Sequence, residues 1–556
     1  MQQGMLFHYL SNSSDTSYCE QLSFGIDGEI DFNSIQGAFD YLLNKYDAFR
    51  TVVMYKGLDR PIQIILKERK EKISYIDLQH MDEEKKRLYV RDFEKQDVEK
   101  GFDLEKDVLL RISIIKLGSK RYNIVWTYHH IVLDGWCSNT VMDDFFTAYY
   151  KLKNNQTLTD TNSISISGYI DWLEKKDKEA AYTYWGEYLS DYQSSSLLPL
   201  INKKDTSTPS RGEEFYYTFS HDLTSRLTNM AQKSNLTLNS VFQTIWGILL
   251  QKLNFSNDVV FGKVTSGRSP EIKDVDKMVG LFVNTVPIRV VAQGTDTFFT
   301  IVNRTHQYNS EVEQHSYISL AELQSKVYES KQLFDHIVSF QNVGDSHDNS
   351  WESKDLGFSI NSVKAYEKTN YDLSLTVKPG DELNIKFSFN PLCYTKDTIS
   401  RIARYLENIA VQVVENPNLC ISEIQVLSED ELEMIQQFFL KNKELFYSTI
   451  LAAFEDRVTR FATHPAIVLS NNSVTYDQLN RRANRLAYRL KTEGIGKEDV
   501  VGILSGPHLD MIVGILAVLK AGAAYLPIDP NYPVERINFM LVDSRASVLL
   551  IHPACQ

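Results

Sequence analysis

The chain lacks a cysteine pairing pattern, a long apolar run, a basic excess and a phosphate-binding loop, and each absence removes a class of protein. Its five cysteines, Cys19, Cys137, Cys393, Cys420 and Cys555, are odd in number and scattered. Neither a disulfide framework nor a cysteine-rich zinc site is expected, and the thiols read as reduced ones in a cytoplasmic protein. The longest apolar run, Met511 to Leu519, ends at Lys520, far short of the ~20 residues that a membrane span requires. The opening MQQGMLFHYL has neither the basic start nor the apolar core of a leader, so no targeting segment is expected. A net charge of −13 without a compensating basic run argues against nucleic acid as a partner. No Ser/Thr/Gly-rich phosphate loop and no Walker P-loop occurs to cradle ATP phosphates, and no GxSxG elbow marks a thioesterase.

What is present centres on YNIVWTYHHIVLDGW, residues 122–136. Ile124, Trp126 and Tyr128 fall on one face of a strand and Val125 on the other, so a strand covered on both sides is predicted. Because side chains alternate along a strand, His129 and His130 should point opposite ways. A histidine ending a strand is more often a satisfied core residue than a catalyst. A metal is not expected, since no second His or Cys cluster stands nearby to complete a coordination shell. Asp134 lies in the following loop. Gly135 offers backbone freedom and close approach before a helix carrying Val141, Met142, Phe145, Phe146 and Tyr149 on one side.

HHIVLDGW resembles the HHxxxDG signature of condensation domains of nonribosomal peptide synthetases, in which the second histidine is catalytic. That resemblance makes His130 the catalytic candidate, with Asp134 an organiser of its loop and the Gly135 N–H a donor to a carbonyl oxygen. His129 and Trp136 support the site. Further segments resemble other motifs of the family, and in family order. QQGMLFHYL, residues 2–10, matches the form found in domains that join an L-configured donor to an L-configured acceptor. KYDAFRT resembles the motif whose arginine, here Arg50, pairs with the aspartate of HHxxxDG; a guanidinium suits a buried carboxylate. SGRSPEI and MVGLFVNTVPIRV resemble a floor to the active-site tunnel, making Ser266, Gly267, Arg268 and Asn284 candidate tunnel or substrate residues. LFDHIVSFQN departs from the usual pattern at Ser339 and Gln341, which puts donor-side contacts there in doubt.

The polar stretch near residue 160 suggests a lobe boundary, dividing residues 1–160 from 161–427. Residues 234–256 read as one long helix capped at Asn239 or Ser240. NYDLSLTV and ELNIKFSFN read as a hairpin about Pro379-Gly380-Asp381. Residues 428–446 read as a helical linker, opened by a Ser428/Glu431 capping box. In residues 447–556, KEDVVGIL, an apolar helix and AYLPID form a β-α-β unit. VTYDQLNRRANRLAYRL and LKAGAAYLPIDP resemble the first two motifs of adenylation domains, here an incomplete one without its phosphate loop.

The resemblance implies an α/β fold of two chloramphenicol-acetyltransferase-like lobes in a V-shaped pseudo-dimer, plus a truncated adenylation subdomain. It implies peptide-bond formation between donor and acceptor thioesters. Phosphopantetheine would then be carried by separate donor and acceptor carrier proteins, because no GGxSL-type carrier segment occurs in the chain. No cofactor is expected on the chain itself, and no adenylation activity. The remainder of an adenylation domain would be a further partner if the parent chain continues. Two alternatives stand beside this: a catalytically silent relative that recruits a partner, and an epimerase relative, which shares HHxxxDG. A heterocyclisation domain is excluded, because it would carry DxxxxD in place of the histidines.

Overall fold

The computed structural model describes all residues except 1, 12–17, 59, 159–164, 193–195, 199–211, 329–332, 342–354, 368, 441–446, 448, 469–472 and 554–556. The expected lobe boundary at 160/161 and the end of the expected linker at 446 fall outside the described residues. By contacts the chain divides into two units, Met1–Ser428 and Glu429–Gln556.

The strand Arg121–His129 lies at the middle of a five-stranded sheet. In spatial order the strands are Phe358–Tyr366, Cys19–Gly28, Arg121–His129, Leu110–Lys116 and Ser74–Asp77. The first three junctions are antiparallel and the last is parallel. Trp126 packs edge-on against Phe145 of the helix Gly135–Lys153, with ring centroids 5.2 Å apart. Val125 faces the other way, into a small cluster with Leu78, Val90 and Phe93 under the helix Glu83–Lys100. The strand is therefore covered on both faces, as its composition predicts. The second face also holds a polar ladder: Gln21 donates to Thr127 Oγ1 (3.0 Å) and Asn123 to Ser23 Oγ (2.9 Å). Pairing removes the desolvation cost that these groups would otherwise bear.

A six-stranded mixed sheet carries the larger core. Its order is Glu213–Phe219, Leu383–Phe389, Leu373–Lys378, His336–Phe340, Asp258–Thr265 and Asn284–Val291. The predicted hairpin forms, with Leu373 opposite Phe389 and Val377 opposite Ile385. The predicted long helix forms as Leu238–Asn254, with a separate helix, His221–Lys233, before it. The long helix is capped by Thr237, whose hydroxyl accepts from Ser240 N–H, so Asn239 and Ser240 lie inside the first turn.

Chain from beyond residue 161 enters the first sheet's side of the unit twice. Residues Ile272, Val275, Met278, Leu281 and Phe282 join its core, and Phe358–Tyr366 pairs with Cys19–Gly28 along its edge. A backbone that doubles back so closely needs one glycine in particular. Gly267 has φ +64°, and a Cβ there would lie 1.8 Å from the Phe282 carbonyl oxygen.

The second unit opens with the helix Glu429–Leu440 and contains the predicted β-α-β unit. Val500–Leu504, Leu509–Ala521 and Ala524–Ile528 follow one another, and the two strands pair in parallel. A third strand, Val548–Ile551, pairs in parallel on the other side of Val500–Leu504. No helix among the described residues is long and apolar enough to cross a membrane.

Replacing Gly267 by alanine combines a left-handed backbone, which costs about 1–3 kcal/mol in strain, with a clash against main chain. All six tryptophans precede residue 428, so urea unfolding followed by tryptophan fluorescence reports the first unit. Gly267→Ala is expected to lower its stability by at least that amount.

Candidate active site

The strand ends in a tight turn. His130 N–H donates to the Tyr18 carbonyl (2.7 Å), Val132 N–H to His129 (3.2 Å) and Leu133 N–H to His130 (3.3 Å). The two histidines have different surroundings. His129 is 2% exposed, accepts from Ile131 N–H at Nδ1 (3.1 Å) and meets the edges of Tyr9 and Phe102. Burial, with neighbouring His130 adding to it, holds its pKa down to about 3, so it is a neutral packing residue.

His130 is half-buried. Its Nδ1 lies 2.6 Å from the Leu133 carbonyl oxygen. A carbonyl only accepts, so Nδ1 carries the proton and donates; in the neutral ring the lone pair is then on Nε2. Nε2 stands 3.6 Å from the Glu20 carboxylate. Burial by itself favours the neutral imidazole, but Glu20, the Leu133 carbonyl and Asp134 more than offset it. The pKa of His130 ends above its ordinary value.

Asp134 is fully buried and caps the helix Gly135–Lys153. Oδ1 accepts from Cys137 N–H (3.1 Å) and Oδ2 from Phe282 N–H (3.0 Å). Its own N–H donates to the Gly280 carbonyl (3.3 Å). The cation beside it is Arg268, 3.8 Å away and almost wholly buried. Arg268 also donates to Met278 O (3.1 Å) and Cys137 Sγ (2.8 Å), and its guanidinium lies 4.1 Å from the centre of the Phe282 ring. Burial pushes the Cys137 thiol up to about 12.

The expected site residues fall as follows. Arg50 does not pair with Asp134. It closes the short helix Asp47–Arg50 and binds Asp47 (2.6 Å) and the carbonyls of Asn44 (2.6 Å) and Leu66 (3.1 Å). Asn44 lies in the last turn of the preceding helix, Phe32–Lys45, whose free C-terminal carbonyls suit a guanidinium, and Leu66 follows the strand Ile62–Ile65. Arg268 is a strut beneath the motif loop. Asn284 is likewise a strut, donating to the carbonyls of Ser316 and Ile318, both at 2.7 Å. Gly135 has no left-handed backbone, so conformational freedom is not its use. A Cβ there meets nothing within 4 Å, and its N–H, first in the helix, has no intrahelical acceptor. Trp136 stands 45% exposed beside it. Ser266 only accepts from Arg268 N–H, at 3.4 Å. The structure thus gathers His129, His130, Asp134, Gly135, Gly267 and Arg268 and leaves Arg50 and Asn284 elsewhere.

Glu20 escaped the sequence reading. It pairs with Tyr128 across the sheet, and His130 follows Tyr128 by two residues on the same face; no motif marks it. Among the described residues, no group of three or more His, Cys, Asp or Glu could hold a metal ion.

A half-buried imidazole, a buried aspartate and a helix N-terminus thus stand together at the end of this strand. Comparison with known proteins gives the family. Residues 1–436 match the condensation-domain family model and residues 454–556 the AMP-binding enzyme model. The chain is 38% identical over 545 residues to gramicidin S synthase 2 of Brevibacillus brevis, covering 97% of this chain and 12% of that protein. It is 35% identical over 558 residues to tyrocidine synthase 2 of Brevibacillus parabrevis, covering 99% and 15%. It therefore spans only a small part of these relatives' length. Among solved structures, a four-domain nonribosomal peptide synthetase bound to AMP and glycine superposes with a TM-score of 0.66 at 18% identity, covering 100% of this chain and 43% of that one. The first condensation domain of the calcium-dependent antibiotic synthetase gives 0.62 at 15%, covering 77% and 98%. The chain belongs to the condensation-domain family, and its second unit is the start of an AMP-binding domain.

If Arg268 is the cation of Asp134, truncating it leaves a buried unpaired carboxylate, at a cost of about 3–5 kcal/mol. In double-mutant cycles on unfolding, Arg268→Ala and Asp134→Ala are expected to couple by about 0.5–3 kcal/mol, and Arg50→Ala and Asp134→Ala to add within about 0.5 kcal/mol.

Proposed function

We propose that the first unit forms a peptide bond between a donor peptidyl or aminoacyl thioester and an acceptor aminoacyl thioester. Both are carried on phosphopantetheine arms of carrier proteins. The observation that carries this reading is the 2.6 Å contact from His130 Nδ1 to the Leu133 carbonyl, which leaves Nε2 as an acceptor in a chain of this family. The acceptor amine forms the new C–N bond as the donor's C–S bond breaks. His130 Nε2 holds the amine and takes its proton, which then passes to the departing thiolate. The Gly135 N–H, at the positive end of its helix, is the donor to the oxyanion.

Magnitudes divide the work. A free α-amine has a pKa of roughly 8, so part of it is already neutral near pH 7. Holding two reactants together supplies about 7–11 kcal/mol in ideal cases, whereas a positioned base adds about 10²–10⁴-fold. Positioning is the larger contribution, and His130 serves both. From the QQGMLFH opening, the donor is L-configured.

The assay is intact-mass spectrometry of a loaded acceptor carrier mixed with a loaded donor carrier and the full chain. A donor-sized mass gain on the acceptor carrier is expected, faster with an L than a D donor residue, and slowed about 10²-fold or more in His130→Ala. No gain with several carrier pairs that still bind would point instead to a silent recruiting module, and α-hydrogen exchange in deuterated water to an epimerase.

A further inference from the structure

Glu20 is the carboxylate beside the catalytic candidate that nothing else in the site employs. Its strand partner is Tyr128, so antiparallel pairing and the two-residue alternation place Glu20, Tyr128 and His130 on one face. The carboxylate is almost wholly buried, 3.6 Å from His130 Nε2, and the Tyr128 hydroxyl beside it acts to lower its pKa. Among the described residues no Lys or Arg lies within ion-pair distance of it.

The other acids near His130 are already committed. Asp134 is held by two N–H groups and Arg268. Glu367 is about half exposed and paired with Lys386 at 3.1 Å. His129 and the Cys137 thiol stay neutral through the pH range in which His130 titrates. A buried carboxylate with no fixed cation is costly unless a cation forms beside it. The only group placed to become one is the His130 ring.

We propose that Glu20 is a positioning residue for His130: its carboxylate stabilises the imidazolium that forms when Nε2 takes the amine proton, and it orients that ring edge toward the incoming amine. This rests on the proton-accepting role of His130 given above. The proton rests on Nε2 and leaves to the thiolate, and Glu20 stays ionised throughout. Glu20 and His130 perturb one another in the expected sense: burial raises the carboxyl pKa and His130 only partly draws it back, leaving it above its ordinary value, while Glu20 raises that of His130.

Glu20→Gln keeps the size and shape of the side chain and removes the charge. In the carrier assay with the full chain, its plateau rate is expected to fall about tenfold, part of the about 10²–10⁴-fold that a positioned base supplies. The neutral imidazole is the active form, so the acid limb of the pH–rate profile marks the pKa of His130. With Glu20 gone, that limb moves to lower pH. KM for the acceptor carrier stays unchanged, and Glu20→Asp restores part of the limb position. A Glu20→Gln variant with wild-type rate and limb, beside an inactive His130→Ala, overturns this inference and leaves the condensation reading standing. An active His130→Ala overturns both. Should Glu20→Gln fail to fold, Glu20→Asp decides: a limb displaced to lower pH supports the role, and an unmoved limb at wild-type rate overturns it.

Discussion

The buried carboxylate of Asp134 is the constraint on which the rest of the site depends. One side chain caps the helix Gly135–Lys153 through Cys137 N–H, grips the Phe282 N–H 148 residues away in sequence, and meets the Arg268 guanidinium. A charge with no exposure to water needs every one of these partners, so the turn, the helix and the segment 267–282 hold one arrangement. The turn of residues 130–133 is pinned between that carboxylate and the last strand pair. His130 takes its ring orientation, and hence its tautomer, from the Leu133 carbonyl within this turn. The placing of the His130 ring is thus set by a buried structural acid.

The same packing explains why the two lobes suggested by the sequence do not divide at one point in the chain. Met278, Leu281 and Phe282 lie in the core beneath the first sheet because the loop that carries them must deliver the Phe282 N–H and the Gly280 carbonyl to Asp134. Gly267 makes the approach possible, since a side chain there would strike the Phe282 carbonyl. The edge strand Phe358–Tyr366 adds a second tie, along Cys19–Gly28. That strand also carries Glu20, so the sheet edge and the environment of His130 are set together.

Features with a local cause were legible in the sequence. The strand 121–129, the hairpin about Gly380 and the β-α-β unit of the second unit follow from alternation and turn chemistry. HHIVLDGW and the ordered motifs carried the family. Features decided by contacts distant in the chain were not legible. Arg50 and Arg268 are equally plausible partners for a buried aspartate by charge alone, and only the path of the backbone decides between them. Glu20 is one acid among many until strand register places it opposite Tyr128. The true start of the helix Leu238–Asn254 had a readable signal, Thr237 three residues before Ser240, but the apolar stripe that follows masks where it begins. Asp134 itself, followed by glycine and an apolar helix, is a legible N-cap; its other partners are not.

The catalytic role proposed for His130 turns on which of its nitrogens carries the proton. A long-range proton–nitrogen correlation spectrum of the imidazole rings in the full chain, with the His130 signals assigned by their loss in His130→Ala, reads this directly. Above the pH at which the ring titrates, a protonated Nδ1 and a bare Nε2 are predicted. A neutral ring with its proton on Nε2 would contradict that role, because no acceptor for the amine proton would then face Glu20.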